Sequence, residues 1–288
     1  MPKLLPELLV ESTPLLAPGV YDGLSAKIAQ QAGFSAVYVS GGALARSAGV
    51  PDLGLLSMTE VRDRTAEICS AVDVPVLADI DTGYGNALNV YRTVTEFVRT
   101  GVSALQLEDQ VTPKKCGHYS GKELISSAEM EAKIEAAADA VGGAPVQLIA
   151  RTDAIAVEGF DAALERARRY AAAGADILFV EAPEEVEQIE RIATELPGIT
   201  LLLNMFEGGR TPRVPMTRLA ELGYRIVIVP SDLQRAAMRA MQEVAAEIFA
   251  HGDSRGMSDK LATFNERDAL VDKATWDQRE RRAAPQFA

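Results

Sequence analysis

The chain is short of residue types that define whole classes of protein. Of its 288 residues only two are cysteines, Cys69 and Cys116, in unrelated contexts, so no disulfide framework is indicated and a reducing, cytoplasmic setting is expected. Positive charge is scarce, with 29 Lys and Arg against 41 Asp and Glu and a net charge of −12. That balance offers no basic face to nucleic acid or an anionic membrane, so any site for an anion must gather its own cations. No apolar run approaches the ~20 residues of a membrane helix. The leucine-rich start is broken by Pro6, Glu7, Glu11 and Pro14 before a signal-peptide core can form, and the chain is read as cytoplasmic from there. What remains, 48% hydrophobic and 24% charged, is a globular composition.

The pattern that is present is an alternation. Short apolar runs ending in a polar residue or glycine are each followed by an Ala-rich amphipathic stretch. The strand candidates are 14–22, 36–42, 74–81, 104–110, 146–153, 177–183, 200–209 and 225–232. Continuous apolar runs suit strands buried on both faces of a parallel sheet. Eight βα units in about 250 residues match a closed (β/α)8 TIM barrel of the α/β class. An open doubly wound sheet would want a Gly-rich dinucleotide turn after the first strand, and APGVYDGLS is not one. Residues 1–288 are read as one barrel domain, with the charged stretch 254–288 as a C-terminal helical arm.

Active residues of such a barrel sit at the C-terminal ends of its strands. In ADIDTGYG, Asp79 and Asp81 at i and i+2 would lie on one side of a strand and repel unless a cation neutralised them. Oxygen ligands of this type select a hard divalent ion, Mg2+ with Mn2+ as its close substitute, and Glu108 on the next strand adds a further oxygen. The run 110–122, QVTPKKCGHYSGK, reads as a mobile lid with Gly117 and Gly121 in it. There Cys116 lies among Lys114, Lys115 and His118, a setting that lowers a thiol pKa. Arg151 at the end of the fifth strand offers a fork for a carboxylate, with the lid lysines and Arg210 as further positive charge, and Ser40-Gly41-Gly42 offers backbone N–H groups. Asp22, Asp153 and Ser231 are read as helix caps or loop residues, Cys69 as a buried small hydrophobe and His251 as a helix end.

Together YVSGG, PDLG, DIDTGYG, LEDQ, KKCGH, ARTDA, EAP and NMFEGG, in order from residue 38 to 209, resemble the isocitrate lyase and phosphoenolpyruvate mutase superfamily. KKCGH is its lyase signature, and the likeness is to the short branch of 2-methylisocitrate lyases, dimethylmalate lyases and carboxyphosphonoenolpyruvate mutases. The resemblance implies a homotetramer whose last helix is swapped between neighbours, and a catalytic Mg2+. By position it implies that Asp79 binds the metal, that Asp81 and Glu108 hold its waters, and that Asp52 of PDLG sits close by. It assigns the carboxylate of a 2-oxo acid to Ser40, Gly41, Gly42 and Arg151, and proton exchange at carbon to Cys116. It further implies that His118, Glu181 and Asn204 position the lid and the departing acid, and it offers Tyr38 as a base for the hydroxyl proton, a barrel side chain being the alternative.

The expected activity is Mg2+-dependent carbon-carbon cleavage of a small 2-hydroxy di- or tricarboxylate. Residues 206–209, Phe-Glu-Gly-Gly, depart from the Thr-Glu-Phe-Gly of short 2-methylisocitrate lyases and resemble the alkylmalate lyases and the carboxyphosphonoenolpyruvate mutases. A phosphonomutase that forms a carbon-phosphorus bond and an oxaloacetate decarboxylase or hydrolase are the alternatives.

Overall fold

The computed structural model of the protein describes residues 4–117, 119 and 121–283. Eight strands close into a parallel barrel in sequence order: β1 (Leu15–Val20), β2 (Val37–Val39), β3 (Val76–Asp79), β4 (Ala104–Glu108), β5 (Gln147–Thr152), β6 (Ile177–Val180), β7 (Thr200–Asn204) and β8 (Tyr224–Val229). Closure is made by β1 on β8, with Leu15 opposite Ile226 and Ala17 opposite Ile228. All eight strands stand where the apolar runs place them. Each ends one to five residues before its run does, because the last residues of the runs form the turns of the mouth and the caps of the next helices. Asp22 is such a cap: its carboxylate accepts from Ser25 N at 2.7 Å.

Side-chain alternation divides every strand between two cores. Outward residues such as Val37, Ala78, Leu105 and Leu203 pack beneath the helices against Ile68, Phe97, Met130, Ile134 and Ile189. Inward residues form a second cluster of Leu15, Ala17, Leu77, Ala104, Ile149, Ile177, Phe179, Leu202, Ile226 and Ile228. The broken leucine-rich start becomes the short helix Leu5–Leu9, whose Leu5, Leu8 and Leu9 join this inner cluster.

The chain divides into two compact units, Met1–Gln234 with the barrel and Arg235–Ala288. The division falls inside the long helix Asp232–His251, earlier than residue 254. The second unit continues with a 3₁₀ turn, Arg255–Lys260, and the helices Phe264–Leu270 and Lys273–Ala283. Among the described residues no helix is long and apolar enough to cross a membrane.

Candidate active site

Register carries the inward face from apolar to polar as the strands approach their C-terminal ends. Leu77 gives way to Asp79 on β3, Ala104 to Gln106 and Glu108 on β4, Ile149 to Arg151 on β5, and Leu202 to Asn204 on β7. Glu181 follows β6 directly. The pairing sets Asp79 beside Gln106 and Glu108 beside Arg151. All of these polar side chains are buried.

Asp79 and Asp81 do converge, but not by strand alternation. β3 ends at Asp79, and Asp81 takes a left-handed turn conformation with φ of 49°. Its backbone N–H donates to Asp79 Oδ1 at 3.0 Å, which folds the second carboxylate back over the first. A Cβ on Gly41 would lie 2.8 Å from Asp79 Oδ2 and 3.2 Å from Asp81 Oδ1, and one on Gly42 would lie 2.6 Å from Asp52 Oδ2. Only glycines therefore fit against these acids, which line a small cleft with Gly41 and Gly54. Ser40 caps the following helix, its Oγ accepting from Ala43 N at 3.3 Å.

The described residues of the run 110–122 lie against this mouth. Val111 N donates to Glu123 O at 2.8 Å, and the Gln110 side chain pairs with both backbone groups of Lys115 at 2.9 Å. The Lys114 ammonium is drawn into the acids of the mouth. It is buried against Asp52 Oδ1 at 2.6 Å and Asp81 Oδ1 at 3.0 Å. Lys115 donates to Gly121 O. Cys116 is half-buried and not in a disulfide. Gly117 sits where a Cβ would come within 2.5 Å of Arg151 Nη2 and 2.7 Å of Glu181 Oε1. His118 lies outside the described residues.

The Arg151 fork is partly committed to the protein's own acids. Nε and Nη2 donate to Asp153 at 2.9 and 3.0 Å, and Nη1 lies 3.2 Å from Glu108 Oε2, leaving N–H groups on Nη1 and Nη2 for a bound anion. Asp153 stands at the cap position of the short turn Ala154–Ala156, yet its side chain makes no cap hydrogen bond and is fully buried. Asn204 Nδ2 donates to Glu181 Oε1 at 3.3 Å. Arg210 stands on the surface, paired with Glu184.

Crowding acids in a buried site shifts their protonation. Burial, with Asp81 beside it, pushes Asp79 up to about 6. Burial carries Glu108 well above the usual carboxylate range against the pull of Arg151 and Lys114. Burial alone would lower the Lys114 ammonium, but Asp81, Glu108, Asp52 and Asp79 hold it well above its ordinary value. Burial also raises Asp153, yet Arg151 and Lys122 outweigh it and bring that carboxyl down to about 2. Away from the mouth, burial pushes the Cys69 thiol up to about 11, as suits a core side chain.

Three residues of the site receive no individual role from the sequence. Gln106 accepts from Tyr38 Oη at 2.8 Å and donates to Asp79 Oδ1 at 3.2 Å. It was legible as the one polar residue two positions before Glu108 in an apolar strand. Lys122 donates to Asp153 Oδ1 at 2.7 Å and to Gly117 O at 2.5 Å, tying the docked run to β5. Tyr84 brings a buried hydroxyl that has no hydrogen-bond partner among the described residues. Nothing in the spacing of Lys122 or Tyr84 marks them.

The donor set suits a hard cation. Both carboxylate oxygens of Glu108, and Oδ1 of Asp81, are buried without a hydrogen bond among the described residues, beyond the ion pairs of Glu108 Oε2 with Arg151 and of Asp81 Oδ1 with Lys114. Acceptor capacity left unfilled on buried carboxylates is costly unless an ion or its water satisfies it. No three acid, thiol or imidazole groups among the described residues form a ready cage. Mg2+ keeps several of its own waters and needs only one or two direct carboxylates.

Comparison with known proteins agrees with this architecture. The family model described as phosphoenolpyruvate phosphomutase matches residues 5–249. The chain is 46% identical over 266 residues to 2,3-dimethylmalate lyase of Eubacterium barkeri, covering 92% of each. It is 44% identical over 274 residues to 2-methylisocitrate lyase of Aeropyrum pernix, covering 95% of this chain and 88% of that one. The crystal structure of a 2,3-dimethylmalate lyase superposes with a TM-score of 0.92 at 35% identity, over 98% of this chain and 94% of that one. A phosphonopyruvate hydrolase solved with oxalate and Mg2+ superposes with a TM-score of 0.86 at 32% identity, over 96% of each chain. The protein belongs to the phosphoenolpyruvate mutase family, within the phosphoenolpyruvate mutase/isocitrate lyase superfamily.

Proposed function

We propose that the protein is a Mg2+-dependent carbon-carbon lyase that cleaves a 2-hydroxy di- or tricarboxylate, of the alkylmalate or 2-methylisocitrate type, into a 2-oxo acid and a carboxylic acid. The observation that carries this reading is the buried polar layer, in which Glu108, without a hydrogen bond among the described residues, pairs with Arg151 next to Gly117. Asp79, Asp81, Asp52 and Glu108 are the residues that would hold Mg2+, which when bound supplies positive charge for the oxygens of the 2-oxo acid half.

Arg151 and the backbone of Ser40, Gly41 and Gly42 bind that half's carboxylate, and the docked run excludes water. Cleavage passes the 2-hydroxyl proton to a carboxylate of the polar layer, turns that C–O into a carbonyl and leaves the electron pair of the broken carbon-carbon bond on carbon 3. The neighbouring carboxylate delocalises that pair. Cys116 Sγ–H then protonates carbon 3, and Glu181, Asn204 and His118 hold the run and the departing acid in place. Lys114 fastens the run to Asp52 and Asp81. The reading places the enzyme in small-acid metabolism, as a homotetramer in the cytoplasm.

The test is a coupled assay with Mg2+, reading 2-oxo acid release from 2,3-dimethylmalate, 2-methylisocitrate, isocitrate and oxaloacetate, with Cys116→Ser and a chelated sample alongside. Release from one hydroxy acid that collapses in both controls is the expected result. Release from oxaloacetate alone would make it an oxaloacetate-specific enzyme. Silence across the panel, followed by a new carbon-phosphorus signal in the phosphorus NMR spectrum with a carboxyphosphonoenolpyruvate substrate, would make it a phosphonomutase.

A further inference from the structure

Tyr38, Gln106 and Asp79 form a chain of hydrogen bonds across three adjacent strands, and its direction can be read from its far end. Asp79 Oδ1 accepts the backbone N–H of Asp81, which can only donate, so this oxygen acts as an acceptor. The Gln106 group facing the same oxygen at 3.2 Å is therefore its NH2. The opposite end of that amide is a carbonyl, which can only accept, so the Tyr38 hydroxyl 2.8 Å away must donate to it. Gln106 and Tyr38 are both buried, which leaves the pair little freedom to re-form the chain in reverse.

Two consequences meet at the mouth. Asp79 Oδ1 is satisfied by the protein, and Oδ2 is the oxygen presented to the cleft beside Gly41. The Tyr38 hydroxyl stands within the field of Asp79, Arg151, Glu108 and Lys114, with its proton already directed into the barrel wall. What it can show a bound molecule is lone pairs.

We propose that Gln106 is a positioning residue that commits the Tyr38 proton to the barrel, so that Tyr38 meets bound substrate only as a hydrogen-bond acceptor and selects acids bearing a 2-hydroxyl over those without a proton there. The inference rests on the proposed reading of the substrate as a 2-hydroxy acid. It makes Tyr38 an orienting group for the substrate hydroxyl and not its base, in keeping with the burial that pushes its own hydroxyl well above the ordinary range.

The test measures binding, independently of turnover, on the full-length Mg2+-saturated protein by calorimetry. The two malate enantiomers serve as hydroxyl-bearing probes and oxalate as a probe without one. Losing one neutral hydrogen bond is expected to weaken the better-bound malate by about five- to tenfold in Gln106→Met, against less than twofold for oxalate. Tyr38→Phe should show the same selective loss, and the double variant should be no worse than either single one. Tyr38→Phe alone carries the test if Gln106→Met does not keep the wild-type circular dichroism. Equal losses for the two ligands, which is what a merely structural role or a disturbed metal site would give, overturn the proposal. So do additive losses, an unchanged malate affinity or a wild type that binds no malate. Selective malate loss in a protein that cleaves none of the hydroxy acids would uphold this inference while sinking the lyase reading; cleavage without that selectivity would do the reverse.

Discussion

The two halves of the barrel interior use the same inward-facing strand positions for opposite ends. Toward the start of the strands those positions hold Leu15, Leu77, Ala104, Ile149, Ile177, Leu202 and Ile226, packed with Leu5, Leu8 and Leu9. Two residues further along, four of these strands carry Asp79, Gln106, Arg151 and Asn204. The lower half removes apolar surface from water at about 25 cal/mol per Å2 and stabilises the fold. The upper half buries charge, which folding disfavours unless each group is paired. A parallel barrel can hold both because a step of two residues keeps a side chain facing inward while moving it nearly 7 Å along the strand.

That contrast can be broken from either side. The largest expected effect is on chemistry alone: Cys116→Ala should lower turnover by about a thousandfold while thermal unfolding stays at the wild-type temperature. Arg151→Met should cost about 4 kcal/mol in denaturant unfolding, because Glu108 loses its cation and Asp153 keeps only Lys122. Activity should fall with it, by less than in Cys116→Ala. Leu77→Ala, in the lower half, should cost about 3 kcal/mol of stability, yet kcat of the folded protein should stay within about twofold of wild type. A fall in kcat matching that of an upper-half variant would end the division of labour.

The smallest effect concerns the sign of a carboxylate's contribution. Asp79 is raised from 3.8 to about 6 in the folded protein, so the folded state holds that proton more tightly than the unfolded chain does. Its contribution to stability therefore declines as pH rises from about 4 to about 6 and stays unfavourable above. In Mg2+-free buffer Asp79→Asn should be more stable than wild type at pH 7 by roughly 2 kcal/mol, with the difference gone by pH 4. Saturating Mg2+ should reverse the order at pH 7, since only the wild type keeps the carboxylate.

Much of this was legible because local chemistry and global topology agree. The apolar runs and intervening amphipathic stretches specify eight strands and their order, and short parallel strands with helical crossovers can close into a barrel with few alternatives. The polar run-ends mark the mouth, and motifs bring Asp79, Glu108, Cys116 and Arg151 to attention one by one. Residues whose importance comes from a partner distant in sequence are harder to see. Asp153 looks like a helix cap until Arg151 and Lys122 are found upon it. Lys114 looks like part of a thiol's surroundings until its ammonium is found between Asp52 and Asp81.

The sequence by itself determined the strand order, the acidic balance and the list of groups available at the mouth, because periodicity and composition are local properties. Only the tertiary structure decided which charges pair, that Asp81 reaches Asp79 through a left-handed turn, and which way the hydrogen bonds run from Asp79 to Tyr38. Those outcomes depend on side chains from different strands meeting in one dry space, where each group's charge and proton are set by neighbours that lie tens of residues away along the chain.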